Sequence, residues 1–172
     1  MENKRGQIWV ETVIYTLIAL ILIGLVLSFV KPKITEVQDK SVIQQSISTL
    51  NEINNVVTSI AAEGPGNKRE VDVSLGEGML MIDGVNNQLV FSLQSTYQFS
   101  EPEKNVSYGN IVIFDHVENN LNLINLTLNY SQYNITYGGQ NTQGFITAAS
   151  TPYKVFITNK GGNVTNIDFS LG

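Results

Sequence analysis

The chain has 172 residues, with 10 Lys or Arg against 15 Asp or Glu, a formal net charge of −5 and no cysteine. The cysteine count excludes a disulfide framework and thiol chemistry, and the acidic balance removes the basic face that a nucleic-acid partner demands. The length suits one globular domain plus one further element.

The first six residues, Met-Glu-Asn-Lys-Arg-Gly, form a short basic leader. Thr12 to Val30 then gives nineteen residues without a charge. At about 1.5 Å of rise per residue, a helix of that length reaches roughly 29 Å, the hydrocarbon thickness of a bilayer. The far side of the run, Ser28-Phe29-Val30-Lys31-Pro32, has no small-residue cleavage site of the kind a secretory signal carries. Any cut is therefore expected on the near side, after Lys4-Arg5-Gly6, which keeps the apolar helix as a permanent part. Lys4 and Arg5 before the run are mirrored by Lys31 and Lys33 after it, so charge alone gives no orientation. Glu11 stands at the mouth of the run. A carboxylate in lipid costs about 2.5 to 3.5 kcal/mol at the bilayer centre and less toward its edge, which makes Glu11 a functional candidate. A snorkelling interfacial charge beside a single-pass anchor is the plainer alternative.

The leader, the Gly6/Gln7 junction, Glu11 five residues into the chain that a cut there leaves, and the apolar run together resemble the class III signal peptides of type IV pilins, most closely those of archaeal pilin-like proteins. The resemblance covers about the first thirty residues. It implies cleavage between Gly6 and Gln7 by a prepilin peptidase, insertion in the membrane before assembly, and packing of the freed helix against copies of itself in an extracellular filament. An assembly ATPase and a membrane platform protein are the implied partners, and adhesion the implied use. Archaellins share this signal, but their mature start is richer in small residues than Gln7-Ile8-Trp9-Val10, which favours a pilus over a motility filament. A cut after Gly6 frees the amine of Gln7, whose unperturbed pKa of about 7.7 to 8.0 leaves it mostly charged at neutral pH and opposite in sign to Glu11. Within one helix the two stand at an i, i+4 spacing; across two staggered helices the same pair would fix axial register. Cyclisation of Gln7 would remove that charge. A single-pass anchored surface protein that binds a ligand as a monomer, and a minor component of an assembly machine, remain open.

Beyond the run, Ile43, Ile47, Leu50, Ile53, Val57 and Ile60 recur at steps of three and four, with polar residues between them, which predicts an amphipathic helix. Glu63-Gly64-Pro65-Gly66 ends it. One helix from Ile8 to Ala62 would be roughly 80 Å long, with a kink or loosened turn at Pro32. From Asn67 the period becomes two. Runs around Val71 to Leu75, Met79 to Asp83 and Leu89 to Leu93 predict a meander, followed by strands at Tyr97 to Phe99, Ile111 to Val117, Leu121 to Tyr130, Asn134 to Tyr137, Phe145 to Ala148, Tyr153 to Thr158 and Val164 to Ser170. The expected fold class is α+β, a long N-terminal hydrophobic helix followed by an all-β, sandwich-like domain. The expected divisions are a leader at 1–6, the helix at 7–62 and the exterior β-rich domain at 63–172.

Five Asn-x-Ser/Thr triplets start at Asn105, Asn125, Asn129, Asn134 and Asn163, all in the second half, which fits an exterior domain carrying glycans; in an Asn-rich chain such triplets also arise by chance as unmodified turn and strand residues. Asn125 and Asn129 share strand parity, so both should face one side of a sheet, and that side should be solvent. After Val30 the chain carries eight Lys or Arg against thirteen Asp or Glu, a soluble acidic exterior. Catalytic chemistry is not indicated. His116 beside Asp115 is the only histidine and reads as structural, and there is no nucleophile elbow, phosphate-cradling loop or cluster of metal ligands. No enzyme and no cofactor are expected. Asp83 with Asn86 and Asn87 has the oxygen atoms for a hard cation, though a solvated turn explains them equally well. Tyr130, Tyr133 and Tyr137 suit a sugar-binding patch or, more cheaply, a sheet core.

Overall fold

The structure is a computed structural model that describes residues 8–119 and 121–172, with the helix backbone carried back to Lys4. Helix α1 (Lys4–Glu63) is followed by ten strands: β1 (Lys68–Val73), β2 (Met79–Asp83), β3 (Gln88–Ser95), β4 (Asn105–Tyr108), β5 (Ile111–Glu118), β6 (Leu121–Asn129), β7 (Asn134–Tyr137), β8 (Gln143–Thr147), β9 (Tyr153–Gly161) and β10 (Asn166–Leu171). The fold is α+β, a long apolar helix and then two sheets. The chain divides into two compact units after Gln38, so the second half of α1 belongs with the sheets.

In the first unit α1 exposes all its large apolar side chains from Ile8 to Val30. The helix assignment runs unbroken through Pro32. Gly64, at φ 95°, takes the left-handed conformation just past the helix end, which a side chain would strain.

In the second unit a four-stranded sheet has the order β1-β9-β10-β7 and a six-stranded sheet the order β4-β5-β6-β3-β2-β8. The alternation that suggested strands is the alternation of burial: along β6, Asn122, Ile124, Leu126 and Leu128 point inward, and along β3, Leu89, Phe91, Leu93 and Ser95 do so. The helix stripe Ile43, Ile47, Leu50, Ile53, Val57 and Ile60 joins both inner faces in one hydrophobic core. Full burial of such side chains stabilises by roughly 1.5 to 3 kcal/mol each. Two polar contacts fix the helix against the sheets. The Asp39 carboxylate accepts hydrogen bonds from Thr96 N–H (2.5 Å), Thr96 Oγ1 (2.7 Å) and Ser95 Oγ (3.2 Å) at the end of β3. At the other end, Asn159 Nδ2 on β9 donates to the Ile60 carbonyl at 2.9 Å.

The structure corrects the strand expectations in four places. The first three runs do not form a meander: β1 pairs antiparallel with β9 in one sheet, while β2 and β3 form a hairpin in the other. Segment 74–78, with Gly76 and Gly78, carries the chain between sheets. Tyr97 to Phe99 is not a strand, because the N–H groups of Phe99 and Ser100 bond to the Asp115 carboxylate (3.1 and 3.4 Å) instead of to a ladder. Asn105–Tyr108 is a strand that its composition did not announce, a short exposed edge paired to β5. The last strand begins at Asn166, because residues 163–165 turn, and it pairs parallel with β7 and antiparallel with β9.

Candidate functional site

Of Gly6 and Gln7 only the helical backbone is described. Glu11 is exposed on α1 and is not without an interaction in the isolated chain. Around it Ile8, Trp9 (71% exposed) and Val10 present bare apolar surface. The threonine and serine hydroxyls within the run are satisfied by their own helix. Thr12 Oγ1 donates to the Ile8 carbonyl at 2.9 Å, Thr16 Oγ1 to the Thr12 carbonyl at 2.8 Å and Ser28 Oγ to the Leu25 carbonyl at 2.7 Å. Hydroxyls bonded this way need no water, so the run suits lipid or a dry bundle of helices. By length and composition this helix is able to cross a membrane.

The outer flank of α1 in the second unit has a related property that sequence reading passed over. From Ser41 to Ala62 its only charge is Glu52. Ser48, Asn51, Asn55 and Ser59 line a shallow groove there with Glu52 and with Arg69 of β1. Apart from Glu52 and Arg69 this flank is built of amides and hydroxyls, which cost less to bury than charges where they find hydrogen-bond partners.

The five sequon asparagines are distributed over the sheets and turns of the second unit. Asn105 is exposed on β4, Asn129 at the end of β6 and Asn163 in the turn before β10. Asn125 and Asn134 are half-buried. Asn125 and Asn129 lie on the face of β6 turned away from the core.

The remaining candidates resolve into structural roles. Asp83 accepts hydrogen bonds from Val85 N–H (3.0 Å), Asn86 N–H (3.2 Å), Asn86 Nδ2 (2.7 Å) and Gln88 Nε2 (3.4 Å), so donors rather than a cation occupy its oxygens and close the β2–β3 turn. Burial alone would push its pKa up, but these bonds outweigh it and hold the carboxyl below its ordinary 3.8. The unfolded chain therefore binds more protons just below that value. The resulting stability is complete above pH 3.8 and falls away as pH drops through the folded pKa. Acid unfolding followed by circular dichroism should lose part of its steepness below pH 3.8 in Asp83→Asn, and an unchanged profile would show the turn does not store it.

His116 is exposed, with Nδ1 2.6 Å from Glu103 Oε1. Its neighbour Asp115 is fully buried, and burial pushes that carboxyl up despite the bonds from Ser100 and Phe99, with the Glu103 charge adding to the rise. Among the described residues no three His, Asp or Glu side chains come together for a metal. Tyr130 is 1% exposed and its hydroxyl is pushed well above its ordinary pKa by burial. Tyr133 packs against the core beside it, ring centroids 6.3 Å apart. The Tyr137 ring lies on Gly144, where a Cβ would come within 2.5 Å of it. The three tyrosines are packing residues. No family model, curated protein or solved structure matches this chain. The functional reading therefore rests on the residues themselves.

Proposed function

We propose that the chain is a structural subunit of an extracellular, type IV pilus-like filament, which polymerises through its N-terminal hydrophobic helix and serves adhesion. The observation that carries this reading is the uninterrupted exposure of every large apolar side chain from Ile8 to Val30. Apolar surface on that scale is covered by lipid or by protein, never by water. Copies of the same helix are the cover that leaves a use for Glu11. In lipid that carboxylate is a cost; in a bundle it meets the terminal amine of a neighbouring Gln7 and selects the stagger. The transfer exchanges acyl chains for helices of equal apolarity, so van der Waals packing and the Glu11 pair decide it. The charge-poor outer flank of α1 supports the same reading beyond the membrane-length run.

Processing after Gly6 by a prepilin peptidase, with an assembly ATPase and a platform protein driving export, completes the proposal. Its direct test is the mass of the mature N-terminus in material sheared from cells, together with electron microscopy of that fraction. The expected result is filaments whose subunit starts at Gln7, as the free amine or its cyclised form. Isolated molecules that retain Met1 would instead establish a single-pass anchor.

A further inference from the structure

The outer face of the six-stranded sheet is not the polar surface expected of a solvated sheet. In register across it, Phe145, Met81, Val90, Thr127 and Val112 form one row. The next row is Thr147, Met79, Ser92, Asn125, Phe114 and Asn105. Phe145 is 50% exposed, and Met79, Met81, Val90, Val112 and Phe114 are each half-buried. A cover over such a strip would remove apolar surface from water. The second row names one, because Phe114 has an Asn-x-Ser/Thr acceptor directly opposite it on both neighbouring strands, Asn105 on β4 and Asn125 on β6. Asn125 Oδ1 accepts a hydrogen bond from Ser92 Oγ at 2.6 Å, which holds the amide and leaves its Nδ2, the atom a sugar attaches to, without a protein partner among the described residues. Thr127, which completes that triplet, lies on the same face in the adjoining row.

We propose that Asn105 and Asn125 carry N-linked saccharides that lie over Phe114 and shield the apolar strip, making this sheet face the water-facing exterior and not a contact between subunits. The inference rests on the exterior location in the proposed function. The donor is a polyprenyl-phosphate-linked oligosaccharide. The asparagine Nδ2 forms a bond to the anomeric carbon, the bond from that carbon to the phosphate oxygen breaks, the lipid phosphate departs, and the amide gives up one proton. The C–H face of the first sugar ring then stacks on the negative face of the Phe114 ring while its hydroxyls turn to water. Asn125 lies in the middle of a paired strand, so transfer there precedes sheet formation, whereas Asn105 on the edge strand stays open to it afterwards.

The test uses the full chain from the cells that make it, in both the sheared-filament and the membrane fractions. Peptide mass spectrometry should find a saccharide increment on the peptides holding Asn105 and Asn125. The increment on the second should vanish in Thr127→Val, which keeps Asn125 and the side-chain shape, and persist in Thr127→Ser. Enzymatic or chemical removal of the sugars should raise the fluorescence of added 8-anilinonaphthalene sulfonate, as apolar surface is uncovered. Sequence mass at either peptide overturns the proposal, as does dye binding that does not change on removal. Unmodified peptides in genuine filaments would sink the sugars and leave the filament standing; modified peptides found solely in membranes would do the reverse.

Discussion

Glu11→Ala should leave the chain inserted in the membrane and the β-rich unit folded, and remove surface filaments. The substitution makes the first turns of the helix more apolar, so partition into lipid is favoured rather than impaired. In the filament proposed above, what it deletes is a carboxylate facing a neighbour's terminal cation in a dry bundle. Loss of one partner from a buried pair costs about 3 to 5 kcal/mol, roughly two to four orders of magnitude in the affinity of an incoming subunit. Thr12, Thr16 and Ser28 do not supply that selectivity, since they spend their hydroxyls on their own helix. Membrane fractionation, electron microscopy of sheared surface material and thermal unfolding of the detergent-solubilised chain read the three arms separately. Filaments of normal abundance would abolish the register role of Glu11 and return it to a snorkelling charge.

Ile53→Ala should have the opposite profile, with Glu11 chemistry intact and the second unit destabilised by about 2 to 5 kcal/mol. Ile53 is 1% exposed in the middle of the stripe that enters the core, between Leu50 and Val57. Alanine is the best helix former, so α1 gains local propensity and the whole deficit reports the lost transfer energy and the cavity. Against a total stability of some 5 to 15 kcal/mol, the loss brings the unit close to unfolding at growth temperature. A lower denaturation midpoint with an unchanged denaturant slope is the expected signature. A midpoint equal to that of the unsubstituted chain would show that the helix does not contribute to the core in solution. Combined with Glu11→Ala the two effects should add, because the residues share no partner.

These two residues also mark what the sequence made legible. The apolar run and the stripe follow from hydrophobic period alone, and the solvent face of β6 follows from period two, so Glu11, Ile53 and the outward placement of Asn125 were all readable before any fold. Pairing was not. The partner of β1 lies some eighty residues on, in β9, and the parallel match of β7 with β10 joins strands with others between them in the chain. Local pattern carries no trace of such partners, which is why a meander was expected. Tyr97 to Phe99 has strand composition, but Asp115 from another strand takes the backbone donors that follow it. Asp39 reads as a solvent charge in the helix pattern and is instead held by Ser95 and Thr96. The strip around Phe114 depends on register across six strands, information that no single strand contains.

The position of β10 has a consequence for the order of events in the life of the molecule. It is the tenth strand to be synthesised, yet it sits inside its sheet, and β7 reaches that sheet only through it. Until β10 arrives, β7 has no ladder to join and β9 has one open side. Closing loops of this size is slow compared with helix formation. The four-stranded layer therefore locks late, because β7 and the open side of β9 wait for a strand that is made after both of them.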